Sequence, residues 1–168
     1  MLLYIQSKIK LNAPTRLFDI LENQVKILPV KRALNTKYNG KWVSTSSEEF
    51  LEQSNQISRG LLQLGLSKGD KVAIISSNNR TEWCIVDIGV LQIGGIDVPI
   101  YPTINSEDYA YIINHSESKY CFVSDQEVFD KIKSIQKECP NQAGTEGESI
   151  NYTRFIFSIH LSLNTIYK

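Results

Sequence analysis

The polar turn Ser76-Ser77-Asn78-Asn79 contains residue types that can hold a phosphate, because hydroxyl and amide groups at the start of a helix donate hydrogen bonds to anions. It follows a strand-like apolar run and precedes a helix-like one, as in nucleotide-binding α/β proteins. However, no glycine enters the turn, and neither GxGxxG nor GxxxxGKS/T occurs in the chain. We therefore interpret Asn79 as an ordinary helix N-cap and Arg80 as a solvated side chain. Phosphate or flavin binding by residues 76–79 is kept as an alternative.

A second candidate site follows a predicted strand in the segment DVPIYPT, residues 97–103. Open α/β sheets bind ligands at the carboxyl ends of their strands, and Tyr101 and Thr103 lie just beyond such an end. These two residues are our candidates for substrate binding. We favour a structural role for this segment over substrate binding, because Pro99 and Pro102 would rigidify the chain where it leaves an edge strand.

No catalytic or metal centre is indicated by the remaining polar residues. His115 ends a predicted helix and His160 lies in the C-terminal tail, and neither has a cysteine or carboxylate at metal-ligand spacing. We expect His115 to cap the C-terminal end of its helix. The GxSxG motif is absent and no nucleophile–base pair is visible. We assign no catalytic, cofactor-binding or metal-binding residue.

Composition narrows the class of protein further. The chain has 168 residues, of which 42% are hydrophobic, so one domain with a real core is expected. Eighteen basic residues balance eighteen acidic ones, which disfavours nucleic acid as a partner. Three cysteines without CxxC spacing suggest reduced thiols, and no run approaches the roughly 18 apolar residues of a membrane span. We expect a soluble, cytoplasmic protein.

The N-terminal part of the chain predicts two helices around a hairpin. A helix over 16–28 presents a loose apolar face of Leu17, Ile20, Leu21, Gln24 and Leu28. Asn39-Gly40 predicts a tight hairpin turn. The next helix starts with a capping box of Ser46 and Glu49, and Gly65 ends it in a Schellman-type arrangement that packs Leu66 on Leu61.

Three modules of equal length follow, with strands predicted at 72–76, 96–100 and 120–124. Helices are predicted over 80–93, 107–114 and 126–138, capped by Asn79, Asn105 and Ser124 respectively. This alternation predicts an α/β fold in which a layered, mostly parallel sheet carries helices on both faces. Beyond Pro140 the pattern changes: residues 141–149 resemble a linker, and residues 150–168 alternate as one more strand would. An altered reading frame explains this tail equally well.

The helix over 80–93 is apolar nearly all the way round, interrupted only by Glu82, Asp87 and Gln92. A helix on one side of a sheet shows a wider polar stripe, so we expect this helix to be buried on more than one side. Each large apolar side chain left in water would cost roughly 1.5–3 kcal/mol. The helix therefore predicts a second packing partner, and we expect the chain to be part of something larger or an oligomer.

Five segments in order carry a family resemblance: TRLFDILENQ, ALNTKYNGKW, GLLQLGLSKGDKVAIISSNNRTEW, DIGVLQIGGIDVPIYPT and YAYIINHSESKYCFVSDQE. Together they resemble the N-terminal region of bacterial long-chain acyl-CoA synthetases in the AMP-binding, adenylate-forming superfamily. The resemblance covers residues 15–140, with 1–14 as a non-matching extension and 141–168 as a non-matching tail, for which a frameshift or a truncation is one explanation. It implies an incomplete N-terminal subdomain, whose apolar helix packs against a second sheet encoded further along.

The resemblance also implies a two-step reaction. A long-chain fatty acid and ATP, with Mg²⁺, give an acyl-adenylate, and coenzyme A then displaces AMP to form the thioester. The family's phosphate loop ending in Pro-Lys-Gly, its Tyr-Gly-x-Thr-Glu segment, its ribose-binding Asp and its C-terminal lysine are all missing here. We therefore carry over no catalytic residue, and whether this chain is an enzyme stays open.

Three hypotheses follow from these observations. The leading one is a fragment of an ATP-dependent long-chain fatty-acid CoA ligase that is inactive alone and holds no cofactor itself. The second is a small flavodoxin-like domain that binds a phosphate or flavin. The third is a non-catalytic interaction module that self-associates through exposed apolar surface or pairs its C-terminal strand with another chain.

Overall fold

A computed structural model describes residues 14–135, 138–139 and 154–157 of the chain. Helices and strands alternate along most of it, as the sequence predicts. In chain order the elements are α1 (Leu17–Ile27), β1 (Leu34–Tyr38), β2 (Lys41–Thr45), α2 (Ser47–Gln63), β3 (Lys71–Ile75), α3 (Thr81–Gln92), β4 (Ile96–Ile100), α4 (Ser106–Ser116), β5 (Ser118–Val123), α5 (Gln126–Ser134) and β6 (Arg154–Phe157).

The main sheet is parallel and has the strand order β4-β3-β5-β6. Side chains of β3 alternate between its two faces, because successive residues of a strand point in opposite directions. Val72 and Ile74 pack with α2 and α3, whereas Ala73 and Ile75 pack with α4 and α5. The sheet is thus covered by helices on both faces, which confirms the predicted α/β class.

The hairpin of β1 and β2 forms a separate two-stranded antiparallel sheet. Its turn residues, Asn39 and Gly40, have φ angles of 48° and 79°. Positive φ at both central positions is the requirement of a type I′ turn, which Asn-Gly meets at little cost. The predicted hairpin is therefore confirmed.

Two of the predicted helix starts are confirmed and two are wrong. Ser46 and Glu49 form the reciprocal capping box of α2, and the side chain of Asn105 accepts a hydrogen bond from the backbone of Asp108. Asn79 does not cap α3, since the N-cap position falls on Arg80. Similarly, α5 is capped by the carboxylate of Asp125 rather than by Ser124. Asp is as good an N-cap as Ser, so the error is one of register.

The end of α2 follows the Schellman pattern that the sequence predicts. The N–H of Leu66 donates to the carbonyl of Leu61 at 2.9 Å, and the N–H of Gly65 donates to that of Leu62 at 3.0 Å. Gly65 has a φ of 87°, a conformation that side chains other than glycine rarely adopt. Leu61 and Leu66 are both buried, so the motif also anchors the chain in the core.

The apolar face predicted for α1 is confirmed at Leu21 and is otherwise wrong. Phe18 and Leu21 are the buried residues of this helix, whereas Leu17, Ile20 and Leu28 are exposed. Phe18 and Leu21 contact Ile88 of α3, and this contact sets the rotation of the helix. The aromatic ring of Phe18 has more apolar area to bury than Leu17, so it lies on the inside.

The predicted burial of α3 on more than one side is confirmed. No residue of α3 is exposed. Ile85, Val86 and Val90 pack against the sheet and α2, while Ile88 and Leu91 pack against α1. Part of this burial comes from within the chain, because α1, α2 and the hairpin contact the helix. Packing against a second sheet encoded elsewhere stays a prediction. Gly89 permits the closest approach to α2: a Cβ atom there would lie 2.6 Å from Cγ2 of Ile57.

The C-terminal tail contains the strand that one of its two interpretations predicts. Residues Arg154–Phe157 pair in parallel with β5, from Tyr120 to Val123. The rest of the tail, including His160, lies outside the described residues.

Candidate functional site

The ends of β3 and β5 form the polar edge of the sheet at which the sequence places its first candidate. Two hydrogen bonds join these strand ends. The N–H of Ser77 donates to Oγ of Ser124 at 2.9 Å, and Oγ of Ser77 donates to Oδ2 of Asp125 at 2.6 Å. Oγ of Ser76 donates to the carbonyl of Asn78 at 2.6 Å. The two serine hydroxyls that were candidates for phosphate binding are thus already used as donors within the chain.

Asp125 gives this edge a negative charge. Burial opposes ionisation of its carboxyl group, but hydrogen bonds from Ser124, Ser77 and the backbone of Val128 outweigh it and lower the pKa of Asp125. Asp125 is therefore ionised at neutral pH. A carboxylate that accepts the hydrogen bond of Ser77 repels an anion at the same turn, so the local field works against a phosphate site.

Arg80 is not the solvated side chain that the sequence suggests. Only 16% of its side chain is exposed, and it forms a salt bridge of 3.1 Å with Glu82, whose side chain is equally buried. Nη1 of Arg80 also donates to the carbonyl of Ser124 at 2.9 Å, which ties the start of α3 to the end of β5. Burial alone would lower the pKa of Arg80, but the charge and hydrogen bond of Glu82 raise it above its ordinary value.

The hairpin joins the same cluster through two side chains of β1. The hydroxyl of Tyr38 donates to Oε1 of Glu82 at 2.7 Å, and the hydroxyl of Thr36 lies 2.8 Å from that of Thr81. Burial, followed by the hydrogen bond to Glu82, raises the pKa of Tyr38. The second carboxylate oxygen of Glu82 is buried without a hydrogen-bond partner among the described residues. Sequence reasoning missed Tyr38, Glu82 and Asp125; only Asp125 carried a local signal, as a preferred N-cap residue.

A wide groove of about 1240 Å³ separates the hairpin from the start of α3. Its walls combine polar residues of the β3–α3 turn with side chains of the hairpin, among them Asn78, Asn79, Tyr38 and Trp42. The groove is open to solvent, and Trp42 is 66% exposed. The groove lies beside the first candidate site, because Asn78, Asn79 and Arg80 line it.

Tyr101 and Thr103 lie in the loop after β4, at the same edge of the sheet as the serine turn. Tyr101 is 80% exposed and Thr103 is also exposed. Within the described part of the chain, no hydrogen bond joins either residue to the Ser76–Arg80 turn. Their role in substrate binding stays a prediction.

The residues that the structure describes contain no group of three or more His, Cys, Asp or Glu side chains that could hold a metal ion. His115 lies in the last turn of α4, stacked on Tyr111 with ring centroids 5.6 Å apart.

The three cysteines are free thiols, and burial raises the pKa of Cys139 to about 11. No helix within these described ranges is long and apolar enough to span a membrane.

Comparison with known proteins decides the family. The model of the AMP-binding enzyme family matches residues 21–154, which is most of the chain. The chain belongs to this family. The matched range contains the hairpin, α2 and the parallel strands β3, β4 and β5, and it ends at Arg154, the first residue of β6. The Tyr38–Glu82 cluster therefore lies inside the family region.

Curated relatives of this AMP-binding family member are CoA ligases. It is 31% identical over 109 residues to the long-chain-fatty-acid–CoA ligase ACSBG2 of Xenopus laevis, which covers 65% of this chain and 15% of that protein. It is 34% identical over 84 residues to the long-chain-fatty-acid–CoA ligase FadD15 of Mycobacterium bovis, covering 50% of this chain and 14% of that protein. The chain thus spans about 15% of the length of the relatives that it matches.

The fold is that of the adenylate-forming enzymes. The anthranilate CoA ligase AuaEII, solved in complex with anthranoyl-AMP, superimposes with a TM-score of 0.68 at 22% sequence identity. The superposition covers 90% of this chain and 26% of that structure. The fold class predicted from the sequence, an incomplete part of the adenylate-forming fold, is confirmed.

Proposed function

We propose that this chain is a scaffold portion of an ATP-dependent long-chain fatty-acid CoA ligase and does not catalyse the reaction alone. The observation that carries the proposal is the similarity to long-chain-fatty-acid–CoA ligases across the α/β core. A complete enzyme of this kind uses a long-chain fatty acid, ATP and coenzyme A, and these are the substrates that we propose for the assembly to which the chain contributes.

The polar edge of the sheet supports a structural role. The polar side chains there form hydrogen bonds within the protein: Ser77 donates to Asp125, and Arg80 donates to the carbonyl at the end of β5. Such a network fixes the distance between β3, β5 and the hairpin, because each hydrogen bond joins residues that are distant in the chain. In our proposal, this network holds the parallel sheet in register beneath catalytic groups supplied by other sequence.

The proposal is tested first with the purified 168-residue protein. We expect no fatty-acid-dependent exchange of pyrophosphate into ATP, since the phosphate-binding and adenylate-binding segments are missing. Palmitate is a suitable substrate, and FadD15 of Mycobacterium bovis serves as the positive control. Exchange above background by the 168-residue protein would contradict the proposal that it is inactive alone.

A chimera tests the scaffold role directly. Residues 15–139 replace the aligned segment of FadD15, and palmitoyl-CoA formation is measured. We expect a folded chimera that retains activity. The matched control carries Gly89→Leu, which forces a side chain into Ile57 and should remove both folding and activity. A chimera that folds with the parent's circular dichroism spectrum but forms no thioester would oppose the scaffold proposal.

A further inference from the structure

Helix α1 carries a second apolar face, which is exposed in the described part of the chain. Its members recur at helical spacing and lie within about 100° of the helix circumference. They are Leu17, Ile20, Ile27 and the C-cap residue Leu28, whose exposed fractions are 59%, 54%, 39% and 70%. We call this set the α1 stripe.

The α1 stripe is distinct from the face that packs α1 on the domain. Phe18 and Leu21 form that face, and they contact Ile88 of α3. Single exposed apolar side chains are normal on a protein surface, whereas several on one helix face mark an interaction site. The α1 stripe therefore needs a partner that the described residues do not supply.

The sequence immediately before α1 has the composition of such a partner. Residues 1–13 read MLLYIQSKIKLNA and contain no acidic residue. Their large apolar residues are Met1, Leu2, Leu3, Tyr4, Ile5, Ile9 and Leu11. A segment with this composition is itself stabilised by leaving water, and it is attached to the helix that carries the stripe.

Asp19 fixes the path of the chain at the start of α1. Its Oδ2 accepts hydrogen bonds from the N–H of Thr15 at 3.1 Å and from the N–H of Arg16 at 2.9 Å. Residues 1–13 are thus joined to Leu17 through only three residues. So short a tether keeps the segment at a millimolar effective concentration near the stripe, and weak apolar contacts are then sufficient to dock it.

The segment is long enough to cover the whole stripe. From Leu17 to Leu28 the stripe extends over about 16 Å, at a rise of about 1.5 Å per helical residue. Ten residues span about 15 Å as a helix and about 33 Å as a strand. A chain reversal at Pro14, a residue type that turns favour, therefore brings residues 2–11 alongside the stripe in either conformation.

A second copy of the chain is a weaker candidate for this surface. Converted to area, the burial energy of a whole Leu or Ile side chain corresponds to about 60–120 Å². Four partly exposed side chains of this size offer less than about 300 Å², whereas a stable dimer buries about 800 Å² on each partner. The stripe alone is too small for a dimer interface, but it matches a tethered segment.

We propose that residues 1–13 fold back at Pro14 and cover the α1 stripe. Their apolar side chains pack on Leu17, Ile20 and Leu28, while Lys8 and Lys10 keep their ammonium groups in water. The stripe is then an intramolecular docking site of this chain. This inference does not depend on the ligase proposal, since it concerns how the chain covers its own surface.

The first test is a double-mutant cycle measured by thermal melts of the full 168-residue protein. Ile20→Ser should lower the melting temperature of the parent by about 5 °C, because a covered isoleucine is lost. In a background that carries Leu2→Ser, Ile5→Ser and Ile9→Ser, the same change should lower it by less than about 1 °C. Ile and Ser have similar helix propensities, so the substitution itself does not weaken α1.

Tyr111→Ser is the matched control. Tyr111 is also a large exposed side chain on a helix, but α4 packs on the opposite face of the sheet from α1 and α3. Its substitution should shift the melting temperature equally in both backgrounds. Circular dichroism establishes that each variant is folded.

The second test locates the segment directly. The photoreactive residue p-benzoylphenylalanine replaces Tyr4, and the peptides joined on irradiation are identified by mass spectrometry. We expect crosslinks within one chain to residues 17–28, and we expect Ile20→Ser to reduce their yield severalfold.

Equal effects of Ile20→Ser in the two backgrounds would overturn the proposal, and so would crosslinks that fall mainly outside residues 17–28. Crosslinks between two chains, in a dimer that forms with rising concentration and that Ile20→Ser abolishes, would also overturn it. That last result would assign the α1 stripe to a second copy of the chain.

Discussion

The phenol of Tyr38 donates a hydrogen bond of 2.7 Å to Oε1 of Glu82, and this contact fastens the hairpin to the first turn of α3. A two-stranded sheet alone is marginally stable in water, so the hairpin depends on such attachments. The same carboxylate oxygen accepts a hydrogen bond from Arg80 at 3.1 Å. Glu82 therefore connects a hairpin strand, the β3–α3 turn and the buried helix.

Replacing Tyr38 with phenylalanine should lower the free energy of unfolding by about 1–2 kcal/mol, because a hydrogen bond to a largely buried carboxylate is lost while the ring is kept. Urea denaturation measures the change. Tyr111→Phe is the control, since Tyr111 is 66% exposed and its loss of a hydroxyl should cost less than about 0.5 kcal/mol. Equal losses for both variants would show that the Tyr38–Glu82 bond does not anchor the hairpin.

Asp87 of α3 and Asp97 of β4 predict a pH-dependent stability. Burial, and then the charge and hydrogen bonding of Asp97, raise the pKa of Asp87 from 3.8 to about 6. The folded state then binds a proton more tightly than the unfolded state. The contribution to stability is complete below pH 3.8 and is lost as pH rises to about 6. Because Asp87 is only partly buried, we discount the nominal loss to about 1–2 kcal/mol.

Asp87→Asn should therefore flatten the dependence of stability on pH over that window and stabilise the protein at pH 7. Thermal melts across the acid range measure this. Asp130→Asn, at an exposed position on α5, should leave the pH dependence of the parent in place. If the Asp130 variant flattened the profile as much as the Asp87 variant, the Asp87–Asp97 pair would not be its source.

Gly89 should be intolerant of any side chain. A Cβ atom there would lie 2.6 Å from Cγ2 of Ile57 and 3.1 Å from the carbonyl oxygen of Ser54. Alanine gains up to about 1 kcal/mol in helix propensity, but overpacking costs typically 1–3 kcal/mol. We expect Gly89→Ala to be net destabilising by about 1–2 kcal/mol in urea melts. Gln63→Ala, at the exposed end of α2, is the control, and its free energy of unfolding should stay within about 0.5 kcal/mol of that of the parent. A Gly89→Ala variant more stable than the parent would refute close packing of α2 and α3.

Tyr101 separates the two interpretations of the loop after β4. Because the side chain is 80% exposed, Tyr101→Ala should change the melting temperature of the lone chain very little. In the FadD15 chimera the same substitution should raise the KM for palmitate if Tyr101 lines the substrate path. An unchanged KM in an active chimera would leave the structural interpretation, with Pro99 and Pro102 defining the loop.

Features encoded within a few residues were predictable from the sequence. The Ser46–Glu49 capping box, the Asn39-Gly40 turn and the Gly65 helix end each depend on local backbone geometry, which the residue types specify. The parallel sheet followed from strand and helix spacing. The family was identifiable because its segments occur in order, although the side chains known to carry the chemistry are not among them.

Features that depend on distant residues were not predictable. Arg80 looked like a solvated residue because its partners Ser124 and Tyr38 are remote in the chain. The orientation of α1 is likewise set by contact of Phe18 with Ile88, which its own periodicity does not reveal. The candidate site was the least predictable feature. Whether the serine turn can bind a phosphate depends on Asp125, which follows β5 and accepts the hydrogen bond of Ser77.

The strand order places β3 between β4 and β5, although β3 precedes both in the chain. A nascent polypeptide emerging from the ribosome therefore completes its central strand long before either neighbour is available. Until Val123 has left the exit tunnel, this buried strand has an unpaired backbone edge. Translational pausing in this interval should leave the growing chain a substrate for chaperones, and synthesis rate through residues 76–123 should therefore influence the yield of folded protein.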